Sequence, residues 1–326
     1  MDYKVCTGLE AEKLAMRDVY ASTMIDLASK NDKIVALDAD LMNSVGMVKF
    51  AKAFSDRIVD CGIMEANMIG VASGMSAVGL IPFAHTFACF ATRRALDQIF
   101  VSAAFARNNI RIVGSDPGIT AAFNGATHMP FEDIGSLRDI PDITIIEPTD
   151  SVMLEDIVRQ LEKAFGVFYI RLSRKNAIKI YEDKSTFTIG KAAPIREGKD
   201  VTIIASGICV AEALKAANIL KEQNIDAAVL NMFTIKPIDR EAIEQAAIKT
   251  GAIVTAENHN IHNGLGSAVA EVLVETYPVP MERIGVQDHF GEVGSVDYLR
   301  NKFGLSAEDI AEKAIKAIRR KGKVNS

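Results

Sequence analysis

The sequence predicts an α/β fold in two domains, each a mainly parallel sheet flanked by helices. Short apolar runs alternate with helical segments along the whole chain, which is typical of parallel strands joined by helical crossovers. At 326 residues the chain is also too long for one ordinary core. A stretch rich in polar residues, glycine and proline at 182–200 separates two such units and predicts a linker or an edge hairpin. We therefore expect one domain at 1–190 and a second at 191–326.

The first domain contains a regular series of apolar runs that favour buried strands. A helix is expected after the fifth of these runs, at 151–164, with Asp150 as its N-cap. The predicted strands lie at 33–37, 58–61, 82–86, 110–113, 143–146 and 167–171.

The second domain repeats the pattern on a smaller scale. A helix is expected at 209–220, directly after the first strand of this unit. The predicted strands lie at 201–205, 227–232, 252–255 and 284–286.

Composition excludes several functional classes. The chain is 49% hydrophobic and 24% charged with a net charge of −5, which argues against a nucleic-acid partner, since phosphate contacts need clustered cations. No apolar run approaches the length of about 18 residues needed to span a membrane, so we expect no membrane partner. The four cysteines are far apart and lie mostly in apolar runs, which indicates reduced thiols and a cytoplasmic location.

One carboxylate stands where an apolar strand turns into a helix of small residues. The strand predicted at 58–61 ends just before Glu65, and Met68, Ile69 and Ala72 follow at helical spacing. We therefore expect Glu65 to begin a helix and to face inward. The ordinary interpretation is an acid that interacts with the helix dipole. An inward-facing carboxylate without a neighbouring charge in the sequence also needs a hydrogen-bonding partner.

Two further blocks follow Glu65 in order. Phe87 and Phe90 lie three residues apart where a strand runs into a helix. Asp116 follows the next strand and begins a long loop that carries His128. This order and spacing resemble the pyrimidine-binding half of the transketolases, in which an acid in Gly-Ile/Val-x-Glu, an aromatic pair in Thr-Phe-x-x-Phe and a loop near Gly-Glu-Asp-Gly-Pro-Thr-His follow one another. The likeness continues through the second half of the chain, and each motif alone would be weak.

The resemblance implies a thiamine diphosphate site. Glu65 would bond N1′ of the cofactor's aminopyrimidine and so favour the tautomer that acts as a base. Phe87 and Phe90 would face the pyrimidine ring, although aromatic side chains at such spacing also occur as plain core. Asp40 would lie near the cofactor and the subunit interface, with a strand-end cap as the alternative.

The resemblance also implies a sugar site. His128 would contact substrate hydroxyls. A terminal phosphate would be held by Arg17, Ser44 and Arg174.

Two positions depart from the family pattern. Asp116 stands where many transketolases have a phosphate-contacting histidine, and Asn124 replaces an aspartate. A carboxylate repels a phosphate, and an asparagine donates a hydrogen bond that an aspartate cannot. We therefore expect both residues to contribute to substrate binding and to change which sugar is preferred.

The chain lacks the Gly-Asp-Gly block with which the family binds magnesium and the diphosphate. The resemblance therefore implies the C-terminal part of a split transketolase, without a metal ligand of its own. A separate chain would bind Mg²⁺ and the diphosphate, and two copies of each would form a heterotetramer. The expected reaction transfers a two-carbon ketol unit from a ketose to an aldose, with sugars or sugar phosphates as substrates.

Three alternatives stay open on the sequence. A 1-deoxyxylulose-5-phosphate synthase-like enzyme is favoured by Arg93 or Arg94 before Asp97-Gln98, although such enzymes keep their domains in one chain. The beta subunit of a 2-oxoacid dehydrogenase has the same two-domain layout. A non-catalytic subunit that kept the fold is a third possibility, against which the intact Glu65 argues.

Overall fold

The computed structural model describes residues 1–324 and contains two sheets. Every strand predicted from the sequence is present, two of them with the predicted ends and the others with ends that differ by a few residues. The strands are β1 (Ile34–Asp38), β2 (Ile58–Asp60), β3 (Ile81–Phe87), β4 (Ile110–Ser115), β5 (Ile143–Ile146), β6 (Val167–Leu172), β7 (Ala193–Arg196), β8 (Val201–Ala205), β9 (Ala227–Asn231), β10 (Thr234–Lys236), β11 (Ile253–Asn260) and β12 (Met281–Val286).

The helices flank the sheets, and the helices expected at 151–164 and 209–220 are observed at Ser151–Lys163 and Cys209–Glu222. The Asp150 carboxylate accepts a hydrogen bond from the Met153 amide at 2.9 Å, which confirms the predicted N-cap. None of the helices within residues 1–324 is both long and apolar enough to cross a membrane. The helices are α1 (Met16–Ala28), α2 (Met42–Val45), α3 (Val48–Ala53), α4 (Glu65–Ala77), α5 (Ala88–Arg93), α6 (Leu96–Gln98), α7 (Asp133–Arg138), α8 (Ser151–Lys163), α9 (Cys209–Glu222), α10 (Arg240–Thr250), α11 (Leu265–Glu275), α12 (Val296–Lys302) and α13 (Ala307–Val324), with a π-helical segment at Ile99–Phe105 and 3₁₀ segments at Gly118–Asn124 and Ala126–His128.

Both sheets are mainly parallel, so the predicted fold class is confirmed. The first has seven strands in the order β10-β5-β6-β4-β3-β1-β2, and only β10 is antiparallel to its neighbour. The second has five in the order β12-β11-β8-β9-β7, with β7 antiparallel at one edge. The stretch at 182–200 therefore contributes an edge strand, and β10 returns from the second unit to complete the first sheet.

A buried polar network joins the two units. The Arg171 guanidinium on β6 is fully buried and donates hydrogen bonds to Asp133 at 2.8 and 3.1 Å and to Glu147 at 2.5 Å. From the second unit, the Ser206 hydroxyl donates to Glu147 at 2.6 Å, and the Asn258 carbonyl accepts from Arg171 at 3.0 Å. Burial alone would raise the pKa of Asp133, but Arg171 holds it below its usual value. Because each buried charge has an oppositely charged or hydrogen-bonding partner, the network avoids the cost of an unpaired buried charge at this interface.

Candidate active site

The candidate site lies at the carboxyl edge of the first sheet. Strands β1, β3 and β4 are neighbours there, and the segments that follow them carry most of the predicted site residues. Ligands of open parallel sheets bind at this edge, because the loops after the strands converge there. Sheet topology thus brings together residues that are far apart in sequence.

Glu65 is the first residue of α4 and faces inward, as predicted, with 2% of its surface exposed. Its Oε1 atom accepts a hydrogen bond from Arg94 Nη1 at 3.0 Å. The Arg94 guanidinium carbon also lies 3.9 Å from the centroid of the Phe90 ring, in cation–π geometry. Sequence reasoning missed Arg94 as a site residue, although its position four residues after Phe90 on a helical segment was a usable signal.

Phe87, Phe90 and His128 form one aromatic group. The His128 ring centroid lies 5.1 Å from that of Phe90 and 5.8 Å from that of Phe87, both edge-to-face, and the two phenylalanine centroids are 6.0 Å apart. Thr127 Oγ1 lies 2.9 Å from His128 Nδ1. Burial, and then Arg93, Arg94 and Arg174, lower the pKa of His128, so its imidazole is neutral at pH 7 and has one donor and one acceptor nitrogen.

Asp116 and Arg174 form an ion pair beside this group. Asp116 is 1% exposed and has a positive φ of 56°, and its carboxylate contacts the Arg174 guanidinium. The Arg174 backbone amide donates to Asp116 Oδ1 at 3.2 Å. Burial raises the pKa of Asp116 to about 6, against the lowering effect of Arg174. Since the guanidinium carbon lies 4.9 Å from the Phe87 centroid, Glu65, Arg94, the aromatic group, Arg174 and Asp116 form one continuous chain of contacts, which we call the site chain.

The other predicted residues lie outside the site chain. Arg17 Nη1 donates to the Ser44 carbonyl at 2.9 Å and thereby ties α1 to α2. Asp40 is exposed at the end of β1, with a φ of 61° and its amide bonded to Asp60 at 3.0 Å. Asn124 is exposed at the end of a 3₁₀ segment. Within residues 1–324, no side-chain hydrogen bond joins any of these four residues to the site chain.

The site chain fits one half of a thiamine cofactor. A buried carboxylate next to two phenylalanine rings suits a flat nitrogen heterocycle, which can stack on the rings and hydrogen-bond to the acid. In the part of the chain that the structure describes, no group of three or more acidic, histidine or cysteine side chains could hold a metal ion. The residues present therefore fit the pyrimidine ring.

Comparison with known families agrees with this geometry. The family model for the transketolase pyrimidine-binding domain matches residues 12–179, and the model for the transketolase C-terminal domain matches residues 190–310. Fold and site thus define a pyrimidine-binding module followed by a second α/β domain. The chain belongs to the transketolase family.

Several relatives are separate subunits of the same layout. The chain is 50% identical to the 6-deoxy-6-sulfo-D-fructose transketolase subunit SqwH of a Clostridium species, over 96% of this chain and 97% of the relative. It is 36% identical to one of the apulose-4-phosphate transketolase subunits of Phocaeicola vulgatus, over 94% and 98%. Among solved structures, a split-gene transketolase described as an inactive beta4 tetramer superposes with a TM-score of 0.88 at 42% identity, covering 94% of this chain and 99% of that one.

Proposed function

We propose that this chain is the pyrimidine-binding subunit of a thiamine diphosphate-dependent transketolase, which moves a two-carbon ketol unit from a ketose to an aldose. The observation that carries the proposal is the site chain from Glu65 to Arg174. One aromatic group lies between the Glu65 carboxylate, which would bond the cofactor ring, and the Arg174 guanidinium, which would bind the substrate. The full-length relatives named as transketolase subunits support the same function.

Bound thiamine diphosphate would supply a carbon nucleophile, and residues of this chain would hold its pyrimidine ring. Glu65 would hydrogen-bond the pyrimidine nitrogen, and that bond would favour the tautomer in which the neighbouring nitrogen is basic. Phe87 and Phe90 exclude water from the ring, so that the Glu65 bond is made in a low dielectric. His128, which is neutral, can hydrogen-bond a substrate hydroxyl from the rim of the same group.

The site chain has an exposed apolar rim that a second chain would cover. Ile63 and Met64, directly before Glu65, are 69% and 59% exposed. Phe123 in the loop after β4, and Phe290 in the second unit, are 71% and 94% exposed. Apolar side chains concentrated at a site favour a protein interface. We infer that a separate subunit covers this rim, that it binds Mg²⁺ and the diphosphate, and that two copies of each chain assemble.

The Asp116–Arg174 pair bears on the charge of the end group that the donor sugar carries. Because the buried carboxylate offsets the guanidinium charge, a doubly charged phosphate gains less at Arg174 than it would beside an unpaired arginine. A singly charged end group loses less binding energy to this pairing than a doubly charged phosphate does, because its attraction to Arg174 is weaker from the start. We therefore propose a ketose with a singly charged terminal group, such as the sulfonate in the name of the SqwH relative. Asn124 faces solvent at the loop end, where it could contact a sugar hydroxyl.

Reconstitution with the partner tests the proposal. The chain is mixed with the product of a neighbouring gene that carries the missing Gly-Asp-Gly block, together with thiamine diphosphate and Mg²⁺. Ketol transfer is then measured from sulfonated, phosphorylated and uncharged ketoses. We expect activity in the mixture only, and its loss in Glu65→Gln, which keeps the shape of the side chain and removes its charge.

The controls separate the competing functions. Glu271→Gln, which removes the charge of an exposed carboxylate paired with Arg138, should leave activity unchanged. Consumption of pyruvate instead of ketoses would assign the chain to the oxoacid enzymes or to a 1-deoxyxylulose-5-phosphate synthase-like enzyme. Assembly with the partner but no turnover of either substrate class would favour a non-catalytic role.

A further inference from the structure

The loop that carries Asp116 is held from the second domain. Asn258 lies on β11 and is fully buried. Its Oδ1 atom accepts a hydrogen bond from the Ile119 amide, and its Nδ2 atom donates to the Pro117 carbonyl, both at 2.9 Å. One side chain therefore satisfies the backbone on both sides of residue 118, which is the turn directly after Asp116.

The fit at this turn leaves no room for adjustment. Gly118 has a φ of +54°, and a Cβ atom there would lie 2.2 Å from Asn258 Oδ1. The Asn258 carbonyl is bonded in turn to Arg171, whose guanidinium is fixed by two buried carboxylates. The backbone of Asn258 is thus fixed by Arg171, and its side chain fixes the loop.

We propose that Asn258 is a positioning residue for the donor sugar, because it fixes the 117–119 turn and thereby sets the Asp116 carboxylate against Arg174. This inference rests on the proposed function. In the described residues the hydrogen bonds of Asn258 go to Ile119, Pro117 and Arg171 and not to Arg174 or the aromatic group, so its effect on the substrate passes through the loop. The second domain then contributes to the choice of donor without lining the site chain.

The structure provides a matched control in Asn231. It is also a fully buried asparagine of the second unit, and its Nδ2 atom bonds across the same interface to Thr149 at 2.9 Å and Tyr181 at 2.8 Å. It does not contact the 117–119 turn. Replacing either asparagine with alanine removes two hydrogen bonds at the interface, but only Asn258→Ala releases the loop.

The first test is hydrogen exchange on the isolated chain. We expect Asn258→Ala to speed exchange of the Ile119 amide, because its acceptor is lost, and Asn231→Ala to leave that amide unchanged. Equal exchange of this amide in both variants would overturn the proposed anchoring. This measurement does not depend on catalysis.

The second test is steady-state kinetics of the reconstituted two-chain enzyme. We expect Asn258→Ala to raise the KM for an anionic ketose by about tenfold, and to change the KM for a ketose without a charged end by about twofold or less. Asn231→Ala should change neither. Equal effects of the two variants, or equal effects of Asn258→Ala on both donors, would overturn the positioning role.

A second variant covers the case in which Asn258→Ala does not fold. Gly118→Ala pushes the loop from the opposite side and should produce the same split between charged and uncharged donors. If Gly118→Ala changes the KM for charged and for uncharged donors by the same factor, the positioning role is wrong. Absence of ketol transfer in the unmodified two-chain enzyme would instead overturn the proposed function, independently of residues 118 and 258.

Discussion

Replacing Arg171 with methionine should destabilise the folded chain by about 3–5 kcal/mol, which is the usual cost of removing one partner from a buried ion pair. Arg171 is fully buried and makes three hydrogen bonds to Asp133 and Glu147. Methionine fills a similar volume, so little packing energy is lost. The loss of stability comes mainly from leaving the two buried carboxylates without their cation. Asp133 would keep the Tyr169 hydroxyl at 2.8 Å, and Glu147 would keep Ser206.

The expected loss is large enough to measure by calorimetry. At about 2–4 °C per kcal/mol, it corresponds to a fall in Tm of about 6–20 °C. It should also depend on pH. Without Arg171, burial raises the folded-state pKa of both acids above the unfolded values, so the variant gains stability from their protonated forms at low pH and loses it as pH rises. The deficit relative to the unmodified chain should therefore be larger at pH 8 than at pH 5.

Arg111 is the matched control. It is a second fully buried arginine, on β4, but it donates to the carbonyls of Leu161 and Ala164 and to no carboxylate. Arg111→Met should lower stability by an amount that stays constant between pH 5 and 8. A Tm loss below about 3 °C for Arg171→Met, or the same pH dependence in both variants, would refute the reasoning from buried charge.

Three further predictions concern the site chain of the two-chain enzyme. Asp116→Asn frees the charge of Arg174, so the ratio of kcat/KM for phosphorylated over sulfonated donors should rise about tenfold, and an unchanged ratio in competition assays would contradict the paired-charge argument. Phe90→Leu removes the ring beneath Arg94 and should raise the thiamine diphosphate concentration needed for half-saturation about fivefold or more, which titration of apoenzyme measures. An equal loss in Phe54→Leu, whose ring lies beneath Arg57 instead, would argue against a specific role. Because burial and three arginines lower the pKa of His128, any limb of the kcat/KM pH profile that depends on His128 should lie below pH 6.5, and a limb above 6.5 that disappears in His128→Gln would contradict the lowered pKa.

Much of the fold could be predicted because its signals are local. The strand expected at 143–146 is observed with the same ends, and the helix after Asp150 begins where its cap predicts. Strand β10 was not predicted, because it has only three residues and its partner β5 lies far back in the chain. No local pattern in Thr234–Lys236 distinguishes an added antiparallel strand from a connection.

The site was predictable in its residue types but not in its pairings. Glu65 begins a helix and Phe87 ends a strand, as the sequence indicates, and the structure groups Phe87 with Phe90 and His128. The proposed roles of these residues at a cofactor or a substrate stay predictions. The ion pair of Asp116 with Arg174 depends on a tertiary distance that the sequence does not display. The sequence therefore indicated the repulsion between Asp116 and a substrate anion, but not the arginine that offsets it. The proposed substrate roles of Arg17, Ser44 and Asn124 stay predictions, and so does the proposed cofactor role of Asp40.

The return of β10 to the first sheet has a consequence for synthesis on the ribosome. The chain makes β5 long before β10, and until residue 236 has emerged, β5 is an open edge with unpaired backbone groups. The first domain therefore cannot complete its sheet during translation until part of the second domain has been made. A chaperone that covers β5 in that interval would protect the nascent chain from pairing with a neighbour on the same polysome.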